Sequence, residues 1–170
     1  MVPIPIASSN RLTWSTLPRN QGCELRRNSE IVGVLRHPNF WSSNHVATTA
    51  ERQWTFRRSG FWSSGSEIID SVSQQVIATF KSSWGGRGTL AFSDGETFDF
   101  VCHGFWHPVW TVMSADGRPV LSLHTREEFV DVNWTGEPAS RLSLLLLFAL
   151  YRVRQAEEDA ASAATVACFS

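Results

Sequence analysis

The chain has 170 residues, of which 42% are hydrophobic, and its formal net charge is −1. This length is typical of one domain with a substantial core, and the near-neutral charge argues against a general nucleic-acid-binding protein, which would be strongly basic. The charge is unevenly spread, because residues 1–90 contain ten Lys and Arg against five Asp and Glu. An anion-binding face is therefore expected in the first half of the chain.

The N-terminal residues 1–11 are predicted to be an extension rather than a targeting segment. They contain no basic stretch and no long apolar run, so they do not resemble a signal peptide. The three cysteines, Cys23, Cys102 and Cys168, are widely spaced and odd in number, which argues against a secreted disulfide scaffold. Together these features predict a soluble, cytoplasmic protein.

Most of the chain is predicted to form a series of β-hairpins. Alternating apolar and polar residues flank Asp94-Gly95 and again Asp116-Gly117, and Asp-Gly is one of the strongest hairpin signals. Weaker copies of this pattern precede them, in residues 24–35, 47–56 and 68–80. Successive hairpins joined by polar loops predict a meander that closes into a barrel or folds into a sandwich.

A hydrophobic helix is predicted after the last hairpin, with Ser140 as its N-cap. From Leu142 to Tyr151 the helix is apolar on every face, and Arg152 and Arg154 end the run. A membrane-spanning helix needs roughly twenty apolar residues, about twice this number, so the helix is expected to be buried on all sides. Two flat sheets cannot surround a helix, which favours a closed barrel wider than the eight strands that side chains alone can fill.

Five segments together carry a resemblance to a known superfamily. They are Ile77-Ala78-Thr79-Phe80 with Trp84, Leu90-Ala91-Phe92-Ser93-Asp94-Gly95, Trp110-Thr111-Val112, Asp116-Gly117-Arg118-Pro119-Val120-Leu121 and the Leu-rich terminal helix. In these segments the chain resembles the tubby C-terminal-like superfamily. The resemblance implies a mainly β fold, in which residues 12–154 form a closed barrel of about twelve strands around the C-terminal helix. From the residues themselves, 155–170 are predicted to be a polar, alanine-rich tail, in which Gln155 to Asp159 continue the helix into water and the rest is a frayed end.

The same resemblance suggests a class of function. Tubby proteins bind phosphoinositides through basic residues on the barrel surface, whereas phospholipid scramblases carry acidic calcium-binding segments and cysteine clusters. Neither pattern is clear here, and the sequence has no cysteine cluster and no acidic loop with calcium-ligand spacing. The chain therefore looks more like the plant LURP-one-related proteins or the small bacterial members of the superfamily.

Aromatic pairs beside Gly or Pro are the most unusual local feature. They occur in Phe40-Trp41, Gly60-Phe61-Trp62 and Gly104-Phe105-Trp106. Their rings could plug the barrel ends, or they could form an exposed rim that docks on a membrane interface or a partner protein. Nearby basic side chains could bind phosphate oxygens, or could be ordinary solvated residues of strand edges. The predicted ligand-binding residues are Arg57, Arg58, Lys81, Arg87, Trp62 and Trp106.

No catalytic residue, metal site or cofactor is predicted. Cys102, His103 and His107 are the most site-like cluster, but the sequence has no second ligand pair that would complete a zinc tetrahedron. Cys102 and His103 are adjacent in a predicted strand, so their side chains point to opposite faces and cannot act together as nucleophile and base. No nucleophile elbow, P-loop, dinucleotide fingerprint or zinc-protease motif occurs.

The sequence therefore predicts a non-enzymatic barrel module. Its expected partner is an anionic phospholipid headgroup or a protein at the cytoplasmic side, with the module peripheral to the membrane. Binding to nucleic acid and a transmembrane segment are not predicted. The alternative is a structural or regulatory scaffold with no small-molecule ligand. A hydrolase is a third hypothesis, and it depends on Cys102 and His107 alone.

Overall fold

A computed structural model describes residues 1, 10–37, 44–59, 65–83, 87–104, 106–136 and 138–167. In these ranges the chain forms twelve strands followed by one long helix, with a short 3-10 helix after the first strand. The elements are β1 (Asn10–Thr16), η1 (Pro18–Asn20), β2 (Gly22–Arg27), β3 (Glu30–Arg36), β4 (His45–Thr49), β5 (Gln53–Ser59), β6 (Gly65–Asp70), β7 (Val76–Ser82), β8 (Gly88–Phe92), β9 (Thr97–His103), β10 (Val109–Ser114), β11 (Pro119–His124), β12 (Phe129–Val132) and α1 (Ala139–Ala167).

The strands form one closed antiparallel barrel. Each strand pairs with its neighbours in the sequence, and β1 pairs with β12 to close the ring, with Leu12 opposite Val130. This confirms the predicted closed meander of twelve strands around a C-terminal helix. β1 begins at Asn10, which pairs with Val132, so the barrel includes the last two residues of the predicted N-terminal extension.

The two Asp-Gly sequences form hairpin turns, as predicted. Gly95 has φ +93° and Gly117 has φ +78°, in the left-handed region that side chains with a Cβ disfavour. A Cβ at either position would meet no atom within 4 Å. Glycine is therefore required here by the backbone conformation of the turn and not by a lack of space. Asp94 stabilises its turn because its Oδ1 accepts a hydrogen bond from the Glu96 N–H at 3.1 Å.

Helix α1 fills the barrel. Every residue from Leu142 to Val153 is buried, which is the environment that the apolar run predicted. The Phe148 ring packs edge-on against Phe56, with 5.3 Å between ring centroids, a geometry that aromatic pairs favour. On β3, a Cβ added to Gly33 would lie 3.1 Å from Leu147 Cδ2. A glycine at this position therefore lets the helix approach the strand closely.

Charged residues fix the first turn of α1 against the barrel. The helix begins at Ala139, so Ser140, the predicted N-cap, already lies inside it. The next residue, Arg141, places Nη1 3.1 Å from Glu96 Oε2 and its guanidinium carbon 3.9 Å from the centre of the Phe92 ring. These contacts tie the helix to the turn between β8 and β9.

The other end of α1 lies beyond the predicted boundary. The helix passes through Gln155 and Asp159, as expected, and continues to Ala167 instead of fraying after Asp159, which agrees with the high helix propensity of alanine. Gln155, the first residue of the predicted tail, is only 4% exposed and so belongs to the core. Among the described residues, no helix has both the length and the hydropathy needed to cross a membrane.

Candidate anion-binding end of the barrel

The antiparallel topology divides the connections between strands into two sets at opposite ends of the barrel. The connections β1–β2, β3–β4, β5–β6, β7–β8, β9–β10 and β11–β12 share one end. Helix α1 leaves the barrel there, because Arg58 near the end of β5 contacts Asp159 of the helix. We call this the exit end. The opposite end, where Arg141 meets Asp94 in the β8–β9 turn, is the start end.

The aromatic pairs found in the sequence all belong to connections at the exit end. Phe40-Trp41 lies between β3 and β4, Phe61-Trp62 between β5 and β6, and Phe105-Trp106 between β9 and β10. Trp106 is 81% exposed, so it belongs to an exposed rim and does not plug the barrel. The other five aromatic residues, including the predicted ligand-binding residue Trp62, lie outside the described residues.

The four predicted basic residues lie in one sector of the exit end and are not scattered around the barrel. Arg57 and Arg58 are near the end of β5, Lys81 is near the end of β7, and Arg87 directly precedes β8. All four are exposed. Because neighbouring strands lie about 4.8 Å apart, the β5 and β7 strands are separated by roughly 10 Å.

Two of these four residues already have carboxylate partners. Arg57 Nη2 lies 2.6 Å from Oε2 of Glu67, its cross-strand neighbour, and Arg58 Nη2 lies 3.1 Å from each carboxylate oxygen of Asp159. Neither carboxylate partner was predicted from the sequence. Lys81 and Arg87, in contrast, form no ion pair within the part of the chain that the structure describes. Of the four predicted residues, Lys81 and Arg87 are therefore the two whose charges are not already balanced by a described carboxylate.

Just inside the exit end lies a group of buried polar side chains, which we call the mouth cluster. It consists of His45 on β4, Ser66 on β6, and Tyr151, Arg152 and Gln155 on α1, all of them buried. Gln155 Nε2 donates a hydrogen bond to Tyr151 Oη at 2.6 Å, and Gln155 Oε1 accepts one from Arg152 Nη1. Tyr151 Oη also lies 3.4 Å from Ser66 Oγ. One amide therefore connects the buried phenol to the buried guanidinium.

His45 forms the β4 side of the mouth cluster. Its ring centroid lies 5.0 Å from that of Tyr151 and 4.6 Å from that of His37. Burial, followed by the neighbouring charges of His37, Arg154 and Arg58, lowers the pKa of His45 from 6.5 to about 4. The imidazole is therefore neutral at pH 7. Among the described residues, its Nδ1 has no hydrogen-bond partner.

Among the described residues, the cysteines and histidines do not assemble into a reactive site. Cys102 packs against the core and His103 is exposed, so the two side chains lie on opposite faces of β9, as predicted. Burial raises the pKa of Cys102, and it raises the pKa of Cys23 to about 12; thiols of this kind are inert at neutral pH. His107 contacts Arg126 at 3.1 Å. Within the described ranges, no three His, Cys, Asp or Glu side chains are grouped so as to hold a metal ion.

Two grooves lie at the start end, and none of Arg57, Arg58, Lys81, Arg87 and Trp106 lines either of them. One, of about 280 Å³, is lined by residues that include Phe92 and Arg141, and the other, of about 430 Å³, by residues that include Phe98 and Trp134. Arg141 in the first groove is already held by carboxylates of the β8–β9 turn. The positive charge predicted to bind anions is thus at the exit end and not in these grooves.

The fold and the exit end define the molecule as a helix-filled, twelve-stranded β-barrel with basic and aromatic residues at one rim. No protein-family model, no curated protein and no solved structure matches the chain. The resemblance to the tubby C-terminal-like superfamily therefore stays a prediction.

Proposed function

We propose that this protein is a non-enzymatic module that docks the exit end of its barrel on an anionic phospholipid surface. The observation that carries the proposal is the 81% exposure of Trp106 at the same end as the exposed Lys81 and Arg87. Tryptophan side chains favour the headgroup zone of a bilayer, and basic residues are attracted to its anionic lipids. The two kinds of side chain would therefore reach the same surface together.

The ion pairs at the exit end determine how strong this docking should be. Glu67 balances Arg57 and Asp159 balances Arg58, which leaves Lys81 and Arg87 as the main electrostatic contacts. Each basic residue near an anionic surface contributes about 1 kcal/mol, and the attraction fades within a Debye length. The proposed binding is therefore weak, reversible and sensitive to salt, as for a peripheral protein.

Vesicle co-sedimentation with a double variant tests the proposal. Lys81→Ala/Arg87→Ala should bind phosphatidylserine vesicles roughly thirtyfold more weakly than the parent at low salt, because it lacks two basic contacts of about 1 kcal/mol each. The matched control is Arg52→Ala/Arg118→Ala, which removes the same charge from exposed residues at the start end. The control should bind as the parent does. Arg57→Ala/Arg58→Ala should have a smaller effect, since both arginines are already paired.

Two results would count against the docking surface. Equal losses for the Lys81/Arg87 variant and the start-end control would show that only the total charge matters. If the parent ignores anionic vesicles at low salt, the alternative of a structural or regulatory scaffold becomes the better account.

A further inference from the structure

Arg152 is a buried cation whose partners are incomplete. It is only 9% exposed, and its guanidinium carbon lies 4.5 Å from the centre of the Phe80 ring. Its Nη1 donates a hydrogen bond to the neutral amide of Gln155, while its Nε has no hydrogen-bond partner within the described residues. A buried charge is normally paired and fully hydrogen-bonded, because its desolvation is costly.

His45 on β4 and Tyr151 on α1 supply the other polar groups of the mouth cluster that can bind a ligand. His45 is 8% exposed, and its Nδ1 also has no hydrogen-bond partner among the described residues. Tyr151, whose hydroxyl can donate or accept a hydrogen bond, lies between His45 and Gln155. The mouth cluster thus contains two buried polar atoms in need of a partner, one on the helix and one on the barrel.

One surface ion pair lies above this cluster. Arg58 approaches both oxygens of Asp159, which lies two helical turns beyond Arg152 on α1 and so faces the same side of the helix. Arg58 is also the cross-strand neighbour of Ser66, whose Oγ lies 3.4 Å from Tyr151 Oη, so the ion pair lies next to the mouth cluster. The side chains of Arg58 and Asp159 are 45% and 62% exposed, and such an exposed ion pair is weak enough to be displaced.

We propose that the barrel mouth binds a phosphate-class oxyanion, as inorganic phosphate or as a phosphate monoester, between Arg152 and Arg58, and that Asp159 competes with this anion for Arg58. Asp159 balances Arg58, whereas Arg152 forms no ion pair with a carboxylate among the described residues. Guanidinium groups match phosphate oxygens in charge and in fork geometry. The site uses none of Lys81, Arg87 and Trp106, so it does not depend on the membrane-docking surface.

The probe for this site is inorganic phosphate, compared with chloride at equal ionic strength. A ligand that binds only the folded state raises the thermal midpoint, so phosphate should raise the Tm of the full-length parent more than chloride does. Calorimetric titration would give the affinity. Arg58→Gln and Arg152→Gln should each abolish the phosphate-specific shift, and Arg58 is exposed enough for its variant to fold even if Arg152→Gln does not.

Removing the carboxylate that competes for Arg58 should strengthen phosphate binding, whereas the two arginine variants should abolish it. Asp159→Asn should increase the affinity for phosphate by up to about fivefold, the range that an exposed ion pair contributes. Asp116→Asn is the matched control, because Asp116 is an exposed carboxylate paired with Arg118 at the start end. It changes the net charge equally and should leave the affinity for phosphate unchanged.

The inference is overturned if phosphate stabilises neither the parent nor Asp159→Asn beyond chloride, or if Asp116→Asn gains as much affinity as Asp159→Asn. It is also overturned if Arg58→Gln binds phosphate as the parent does. Vesicles containing phosphatidic acid distinguish two sources of the anion. Vesicle binding that phosphate competes away assigns a lipid headgroup, and phosphate binding without vesicle binding assigns a soluble ligand. Lys81→Ala/Arg87→Ala should keep the phosphate response, so this site and the docking surface can fail separately.

Discussion

Replacing Leu146 with aspartate should prevent the barrel from folding. Leu146 is fully buried at 0% exposure in the middle of α1, where strands surround the helix on every side. A buried charge without a partner costs several kcal/mol, which is comparable with the total stability of about 5–15 kcal/mol of a typical domain. The expected result is aggregation and loss of the cooperative thermal transition, measured by circular dichroism and size-exclusion chromatography.

Two companion variants show whether burial is the cause. Leu146→Ala should remain folded but lose about 2–5 kcal/mol, as is usual for a cavity left in a packed core. Val72→Asp introduces the same charge at a residue that is 90% exposed, and it should change stability by less than about 0.5 kcal/mol. A Leu146→Asp protein that stays monomeric with the parent Tm would show that the helix is not the core of the barrel.

Acidification from pH 6.5 to pH 4 should destabilise the protein through His45. Its pKa is about 4 in the folded protein and 6.5 as an ordinary value, so the unfolded chain takes up a proton in this range before the folded protein does. The contribution of neutral His45 to the free energy of unfolding is therefore fully present above pH 6.5 and is lost as the pH falls toward 4. This difference between the folded and unfolded pKa of His45 corresponds to a loss of about 3 kcal/mol in the free energy of unfolding, at roughly 1.4 kcal/mol per pKa unit.

Urea unfolding at a series of pH values measures this loss. His45→Gln should remove most of the pH dependence between 6.5 and 4, whatever its effect on stability at pH 7. His103→Gln removes an exposed histidine at the end of β9 and should keep the pH profile of the parent. An unchanged slope in His45→Gln would contradict the assignment of His45 as a buried, neutral imidazole.

The strand order and the helix could be predicted because local signals agree with the global fold. Alternation in the strands and Asp-Gly at the turns specify hairpins one at a time, and an uninterrupted apolar face on Leu142–Tyr151 requires a surrounding sheet. The helix was expected to enter solvent at Gln155 and to fray after Asp159, because charged residues are usually exposed, whereas α1 extends to Ala167. Burial of Arg152 and Gln155 instead shows that the barrel rim reaches beyond the apolar run.

The location of the aromatic rim could also have been predicted. In an antiparallel meander alternate connections share one end of the barrel, so counting strands places the β3–β4, β5–β6 and β9–β10 connections together. The pairing of Arg58 with Asp159 could not have been predicted from the sequence, since these residues are 101 positions apart. Their contact depends on the exact height and rotation of the helix within the barrel, which no local pattern specifies. The mouth cluster could not be predicted either, because its contacts between α1 and the strands depend on the same position of the helix.

Hydrogen–deuterium exchange of the full chain, with and without phosphatidylserine vesicles at low salt, tests most directly whether the exit end is the docking surface. The account predicts that vesicles slow exchange in the β7–β8 and β9–β10 connections, next to Lys81, Arg87 and Trp106. It also predicts no change in the β2–β3, β8–β9 and β10–β11 turns of the start end. Protection of the start-end turns, or vesicle binding with no protection at the exit end, would contradict it.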